Sequence, residues 1–330
     1  MINFVVIGGG WRAEFYIRIA KALPEIFNLS GVCVRNPKRA EYISQKYNVN
    51  ILSTIDELLK EPFDFIVNCI NKEDITELSL KLAEKGYYVL SETPVTKDMC
   101  SERVCDKIQV AEHFHLKGTY QALKKIIDSK IIGDVNYINI STCHDYHAMS
   151  LVRYFLDDYE KPQVLYGCNI EDKMLKTNGR EGILPEKKIL DTEQQIKIYK
   201  LKKATVVYDY NKEQYFSPIR KDRILIRGTN GEIENYNVRY YNSDKEFVSE
   251  DIKTVMSGLL DGFYCDKIVF NGNVVFDYPF KQARLSEEEI AIAHCLVKMK
   301  EYTDTGKEFY SLKKAFEDYA FFIGNQEGVK

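Results

Sequence analysis

The sequence predicts an α/β fold in two parts: a parallel sheet wrapped by helices in the first third, then an α+β domain with a largely antiparallel open sheet. Three observations predict it. Short apolar runs alternate with helix-spaced segments as far as Pro94. The triplet Gly8-Gly9-Gly10 directly follows the first apolar run. From about Gln163 to Tyr278 the pattern changes to strands separated by turn signals.

Each element has its own warrant. Asn3–Gly8 is an apolar strand, and Trp11–Leu23 carries apolar residues at helical spacing until Pro24 stops it. Leu29–Val34 is the second strand, and Pro37 sits in the first turn of a helix over Pro37–Tyr47. Thr54 and Glu57 form a capping box, and Phe65–Cys69 is a buried strand. A helix over Glu73–Lys85 is closed by Gly86, and Tyr87–Leu90 runs into Ser91-Glu92-Thr93-Pro94. Strands separated by helices pair in parallel through right-handed crossovers. Further on come a helix at about Leu116–Ser129, a strand at Asn136–Ser141 and a helix from about His147 to Leu156. The expected strands are Ile196–Leu201, Ala204–Tyr210, Ile224–Arg227, Ile233–Tyr241 and Lys267–Phe276, with turns at Thr229-Asn230-Gly231 and Asn271-Gly272-Asn273. The Lys-rich stretch Lys187–Lys203 reads as a solvated loop and strand edge. Ser286 and Glu289 cap a helix that runs to about Tyr302, the first of two that close the chain. The domains are 1–116 and 117–330, since 330 residues exceed one ordinary core.

Composition excludes several functions. Lys plus Arg total 46 against 49 Asp plus Glu, a net charge of −3, so there is no basic field for nucleic acid and no polybasic membrane patch. No apolar run approaches the roughly 18 residues of a membrane span. Met1 and Ile2 run straight into a strand, with no signal peptide pattern, which points to the cytoplasm. The eight cysteines form no C-x-x-C pair and read as reduced thiols used as small core side chains.

Gly8-Gly9-Gly10-Trp11-Arg12-Ala13 fits G-x-G-x-x-G/A, the loop of a Rossmann dinucleotide-binding unit. Gly8 allows the tight turn, Gly10 lets the backbone approach a pyrophosphate, and Ala13 lets the helix pack close to the strand. The pyrophosphate then meets the positive end of the helix. Trp11 either covers the cofactor or packs at the domain junction. Arg12 and Asn71 complete the loop-side cofactor set. At the end of the second strand an Asp or Glu would bond the ribose of NAD; here Val34 is followed by Arg35 and Asn36, with Lys38 and Arg39 a turn later. Arg35 can pair with a 2′-phosphate, so NADP(H) is favoured and NAD(H) stays open. The alternative for Arg35 is a surface arginine.

These pieces, in this order, resemble the Gfo/Idh/MocA family of oxidoreductases. The matching segments are the glycine loop, VCVRNPKRAE, FDFIVNC…LAEKGYYVLSETP, DSKIIGDVNYI, HAMSLVRYFL, RILIRGTNGEI and ARLSEEEIAIA…FYSLKKAFEDY. The resemblance implies hydride transfer between a nicotinamide and a hydroxyl or carbonyl carbon of a small sugar-like or cyclic molecule. It also implies a homodimer or homotetramer formed through the sheet of the second domain. Two departures stand out. The family's Glu-Lys-Pro is here Glu92-Thr93-Pro94, so the lysine that polarises the substrate oxygen is replaced by an uncharged Thr93, while Glu92 and Pro94 still shape the nicotinamide pocket. The family's Asp-x-Gly-x-His-x-x-Asp places its histidine at His147, with Cys143 and Ser150 where the aspartates would be.

Four of five histidines fall between His113 and His147, a concentration suited to acid–base work near neutral pH. His147 is the first choice as the acid/base, with Thr93 as a substrate or cofactor contact. The alternative for His147 is a helix-start histidine bonding nearby backbone. Glu112, His113, His144 and Tyr146 are assigned to the substrate pocket, and Asp145 could orient a histidine. His113 and His115 are read on one strand at i, i+2. Cys143 and the histidines are zinc-type residues, but their spacing fits no standard zinc motif, so no metal is expected. His294 reads as a packed core histidine. The leading function is an NADP(H)-dependent oxidoreductase. The second is a cofactor-binding sensor or regulatory protein that has lost hydride transfer, and the third an enzyme reducing an imine or another group that does not need the lysine.

Overall fold

The computed structural model describes residues 1–96, 102–180, 182–258, 262–281 and 283–323. The chain divides into two compact units. The first takes Met1–Gly118, Met256–Asp266 and Tyr278–Tyr319; the second takes Thr119–Val255, Lys267–Asp277 and the chain from Ala320. The first division at Gly118 lies two residues past the expected boundary. The chain after Met256 is shared between the units, whereas the sequence suggested one continuous second domain. Buried apolar residues such as Ile290, Ile292, Leu296 and Met299 in the last third find their partners against the first sheet, which periodicity alone cannot show.

The first unit is built on β1 (Ile2–Ile7), α1 (Trp11–Ala22), β2 (Phe27–Cys33), α2 (Pro37–Tyr47), β3 (Ile51–Leu52), α3 (Ile55–Leu58), β4 (Phe65–Asn68), α4 (Ile75–Glu84), β5 (Val89–Ser91), α5 (Glu102–Cys105) and β6 (Ile108–Val110). Its strands run in the order β3-β2-β1-β4-β5-β6, all pairs parallel. Val5, Ile66 and Val89 have no exposed surface, as expected of strands covered on both faces. The order reverses between β1 and β4, which opens a crevice beyond their carboxyl ends. The Thr54/Glu57 capping box is present, and Gly86 follows α4 at φ +94.

One expectation fails here. His113 and His115 do not lie on a strand: β6 ends at Val110, and Phe114–Leu116 forms a 3₁₀ turn with His113 at its head. The Glu112 carboxylate accepts the Phe114 N–H at 3.2 Å, and a side chain that bonds backbone two residues on turns the chain away from a ladder.

The second unit carries α6 (Gly118–Asp128), β7 (Val135–Ser141), α7 (Asp145–Leu156), β8 (Gln163–Gly179), β9 (Gly182–Lys200), β10 (Thr205–Asn211), β11 (Arg223–Gly228), β12 (Gly231–Glu234), β13 (Asn237–Tyr241) and β14 (Phe247–Asp251). Eight strands form one sheet in the order β14-β13-β12-β11-β7-β10-β9-β8, antiparallel except for the β7–β10 pair. The Lys-rich stretch is neither loop nor edge. Most of it is β9, held between β8 and β10, because Ile196, Ile198 and Tyr199 supply a strand pattern among the lysines. The expected strand Ile233–Tyr241 is broken at Asn235, which adopts φ +54 and accepts the Ile224 N–H with its side chain. The expected strand Lys267–Phe276 is a hairpin of β16 (Tyr264–Phe270) and β17 (Asn273–Asp277), which form a small sheet with β15 (Lys253–Ser257). Its turn residues Asn271 and Gly272 both have positive φ, the backbone an Asn-Gly hairpin requires. Two helices follow, α8 (Glu287–Thr305) and α9 (Leu312–Ile323), and the Ser286/Glu289 capping box opens α8.

Among the described residues Cys33, Cys69, Cys143, Cys168, Cys265 and Cys295 form no disulfide, but Cys105 is disulfide-bonded, so thiols throughout is not the state of this chain. Among the described residues no helix is long and apolar enough to cross a membrane.

Candidate active site

The site begins where β1 hands over to α1. Gly8 adopts φ +135, and a Cβ there would lie 2.7 Å from the Cys69 carbonyl oxygen beyond β4. Only glycine fits. A Cβ on Gly9 would lie 2.7 Å from Val34. Gly10 differs: it is the exposed N-cap of α1, no side chain caps the helix, and a Cβ there would meet nothing within 4 Å. Open space therefore lies beside Gly10 at the start of α1, which no side chain caps, an arrangement that fits a pyrophosphate. Ala13 is fully buried. Trp11 is half-buried, its ring edge-on to Phe15 at 4.7 Å.

Arg12 turns inward rather than over the loop. Its Nη1 donates to Glu288 at 2.9 Å and its Nε lies 3.6 Å from Glu92. Its guanidinium also covers the faces of Trp11 and Phe15 at 5.1 and 4.9 Å. Burial works against the charge, and the two carboxylates outweigh it, so the Arg12 pKa stands above its ordinary value. Glu92 follows β5 and is buried; it accepts the Tyr16 hydroxyl proton. Burial pushes its pKa up, against the pull of Arg12 and Tyr16. His113 Nε2 lies 3.4 Å from Glu288, and burial lowers the imidazole to about 4, so it is neutral near pH 7. Burial acts to raise Glu288, but His113 and Arg12 hold it well below the usual carboxylate range. Glu112 is buried beside this network, and Thr93 and Pro94 are half-buried after Glu92.

At the far end of the loop Arg35 and Lys38 are exposed. Arg39 is committed elsewhere: it donates to the Gly9 carbonyl and to Glu14. Glu14 also accepts from Lys46 at 2.8 Å and from Tyr47. Burial works to raise the Glu14 pKa, but these three donors outweigh it and lower it to about 2. A carboxylate depressed in the fold stabilises above its unfolded pKa near 4.5 and loses that contribution as pH falls toward 2. Glu14→Gln is expected to cost about 2 kcal/mol at neutral pH. In urea unfolding across a pH series the gap to wild type should narrow below pH 4.5; a gap that stays constant into acid refutes the assignment. Asn71 is exposed, bonding Glu73 at 3.2 Å, while its carbonyl receives the first amides at the head of α4.

In the second unit His144 caps α7 and His147 sits, buried, in the first turn, two residues later than a helix opening at His147 would place it. The His147 ring lies 5.0 Å from His144 and 4.3 Å from Tyr146, so these three predicted residues do come together. Asp145 adopts φ +51, in the left-handed region that favours glycine, and its N–H donates to the Tyr208 hydroxyl at 3.1 Å. Cys143 and Ser150 are buried. Among the described residues no three His, Cys, Asp or Glu side chains gather as a metal site.

Within the first unit the structure joins Arg12, Glu92 and His113 in one network and leaves Arg35 and Asn71 outside it. Tyr16 and Glu288 were not singled out from sequence. Tyr16 lies four residues after Arg12 on α1, a spacing that puts both on one helical face, and this signal was available. Glu288 lies 276 positions from Arg12, and nothing local marks it.

A β3-β2-β1-β4-β5-β6 parallel sheet with an uncapped glycine-loop helix at its switch point defines a dinucleotide-binding Rossmann protein. Residues 2–105 match the model of the Gfo/Idh/MocA family, described as an oxidoreductase family with an NAD-binding Rossmann fold. No curated protein sequence matches the chain. Among solved structures it resembles an oxidoreductase from Agrobacterium radiobacter in complex with NAD+, L-tartaric acid and magnesium, at 15% identity and TM-score 0.64 over 97% of this chain and 94% of that one. It also resembles a levoglucosan dehydrogenase in complex with NADH and levoglucosan, at 14% identity and TM-score 0.67 over 99% and 96%. An oxidoreductase from Thermotoga maritima gives 16% identity and TM-score 0.61 over 97% and 94%. At these identities the likeness establishes a shared fold along nearly the whole chain.

Proposed function

We propose that this protein is an NADP(H)-dependent oxidoreductase acting on a hydroxyl or carbonyl group of a small sugar-like or cyclic molecule. The observation that carries the reading is the open cradle at Gly10 over the uncapped start of α1. A bound nicotinamide supplies the hydride. The chain supplies the rest. The α1 amides hold the pyrophosphate, and Arg12, Tyr16 and Glu92 fix the wall beneath the loop. Exposed Arg35 meets a 2′-phosphate, with no carboxylate at the end of β2 to repel it. His147 moves the proton at the substrate oxygen, with His144 and Tyr146 packed on its ring, and the Thr93 hydroxyl bonds substrate or cofactor. That levoglucosan dehydrogenase and the oxidoreductase with L-tartaric acid share this fold supports a small polyhydroxylated substrate. NAD(H), the cofactor in both complexes, is the competing assignment. The sensor reading draws on Thr93, which lacks the charge that an oxygen-polarising group needs.

Fluorescence titration with NADPH and NADH tests the cofactor. Arg35→Ala should weaken NADPH about 10- to 100-fold and leave NADH nearly unchanged, in line with the loss of one charge-assisted pair; equal NADPH affinity in both proteins refutes the 2′-phosphate role. His147→Ala should lower kcat about 10²- to 10⁴-fold. Tight NADPH binding with no turnover of sugars, cyclitols or imines would favour the sensor. Assembly through the open sheet of the second unit is also expected: Leu165, Tyr166 and Ile170 are exposed on β8, an edge strand. A monomer in sedimentation equilibrium would exclude it.

A further inference from the structure

We propose that Glu14 is a specificity-determining residue for the cofactor: by holding Arg39 against the glycine loop it withholds that guanidinium from a 2′-phosphate and lowers the preference for NADPH over NADH. This rests on the NADP(H) reading above. Glu14 acts through Arg39, so its role is one of positioning. The two cofactors are told apart at the end of the second strand, where a cation favours the 2′-phosphate and a carboxylate favours the free 2′-hydroxyl. The sequence puts Arg35, Lys38 and Arg39 just beyond β2 and no carboxylate among them. The fold brings a carboxylate from α1.

Arg39 is the third residue of α2, and its side chain lies along Gly9. A Cβ on Gly9 would stand 3.2 Å from Arg39 Cγ and 2.7 Å from Val34 Cγ1, and Val34 is the residue that follows β2. Arg39 therefore sits where the glycine loop meets the end of β2, the place a 2′-phosphate reaches. Its Nε donates to the Gly9 carbonyl and its Nη2 to Glu14 Oε1. Those bonds use two of the five N–H groups of a guanidinium. The guanidinium also lies 4.6 Å from the centre of the Tyr42 ring, and the side chain is 33% exposed. Glu14 is fixed from its other side. It is buried in the first turn of α1, and its Oε2 accepts from Lys46 at 2.8 Å and from the Tyr47 hydroxyl at 2.5 Å. A carboxylate there also meets the positive end of the helix, so it keeps its charge and its place. A 2′-phosphate that engages Arg39 must share the cation with this carboxylate or draw it away and leave Glu14 a donor short. Either course lowers NADPH affinity. NADH, with a hydroxyl at that position, meets neither. The other carboxylate near the end of β2, Glu57, is engaged by the Ser53 and Thr54 amides in its capping box.

The test is fluorescence titration of the full chain with NADPH and with NADH, and it needs no substrate. Glu14→Gln should raise the ratio of NADPH to NADH affinity about tenfold, with a smaller gain at high salt. NADH affinity should hold within about threefold, whereas a merely structural role for Glu14 would weaken both cofactors alike. Adding Arg39→Met to Glu14→Gln should cancel the gain, because the effect passes through Arg39. Glu14→Asp keeps the charge and should return most of the wild-type ratio. Glu25→Gln, the same loss of charge on an exposed residue just past the far end of α1, should leave the ratio unchanged. If Glu14→Gln does not fold, Lys46→Met decides: with one cation fewer around Glu14 the ratio should fall about threefold. An unchanged ratio in Glu14→Gln, an equal loss of both cofactors, or a gain that survives Arg39→Met overturns the proposal, as does an unchanged ratio in Lys46→Met. If the wild type binds neither cofactor, the oxidoreductase reading fails and this proposal falls with it. If Arg35→Ala leaves NADPH affinity unchanged while Glu14→Gln still gains tenfold, Arg39 rather than Arg35 meets the 2′-phosphate, and the proposal stands without the Arg35 assignment.

Discussion

Gly8→Ala is expected to abolish dinucleotide binding and to destabilise the unliganded protein by about 2 to 6 kcal/mol. Two costs combine. A non-glycine residue held at φ +135 loses about 1–3 kcal/mol to backbone strain. The added methyl would lie 2.7 Å from the Cys69 carbonyl oxygen and 2.9 Å from its Sγ, and overpacking of this kind costs about 1–3 kcal/mol more. Cys69 follows β4 and is anchored by its N–H to Ile7, so the strand ends must part for the methyl to enter. The crevice lies between those ends. Gly10→Ala is the matched control. Its methyl meets no protein atom, so stability should change by about 1 kcal/mol or less. The same methyl projects into the open space a pyrophosphate would enter, and NADPH affinity should fall at least tenfold. Thermal unfolding without cofactor, set beside fluorescence titration, separates the two variants. Wild-type stability in Gly8→Ala refutes the packing argument, and wild-type affinity in Gly10→Ala refutes the cradle.

The second large effect is expected at Arg12→Met, at about 3 kcal/mol. Removing one partner of a buried pair leaves the other charge uncompensated. Here two carboxylates lose their cation, Glu92 at 3.6 Å and Glu288 at 2.9 Å. The pH dependence has a definite sign. Burial already raises Glu92, and Arg12 is the leading influence holding it down, so the substitution raises it further. An acid whose pKa is raised by folding binds more protons folded than unfolded, and stability then falls as pH rises through the folded pKa. The deficit of Arg12→Met should therefore be greatest at neutral and alkaline pH and shrink in acid as Glu92 protonates. Glu92→Gln in the same background should restore part of the loss, since the amide oxygen can still accept from Tyr16. Denaturant unfolding of the four proteins in the cycle measures this. A coupling near zero at every pH would show that Arg12 and Glu92 are not a pair.

Legibility followed distance along the chain. The glycine loop, the Thr54 and Ser286 capping boxes and the Asn271-Gly272 turn depend on a few neighbouring residues, and each formed where its pattern stood. Lys197 was hidden among lysines because a single strand does not reveal which neighbours will bury it. His113 and His115 alternate like strand residues, but Glu112 caps the Phe114 amide and bends the backbone instead. Arg12 was legible as part of a cofactor loop, but its acceptors are 80 and 276 positions away in Glu92 and Glu288.

The sequence by itself determined the Rossmann unit and the position of its dinucleotide loop, because strand, glycine and helix N-terminus are local and steric. It also determined that no lysine stands after Glu92. Only the tertiary structure decided what the charged and titratable residues do: that Arg12 is bound by Glu92 and Glu288, that Arg39 serves Glu14 and the Gly9 carbonyl while Arg35 stays exposed, and that Lys197 is buried across from Tyr208. The physical reason is that a side-chain charge is set by its burial and by partners within a few ångströms, and those partners come from strands and helices far apart in the chain.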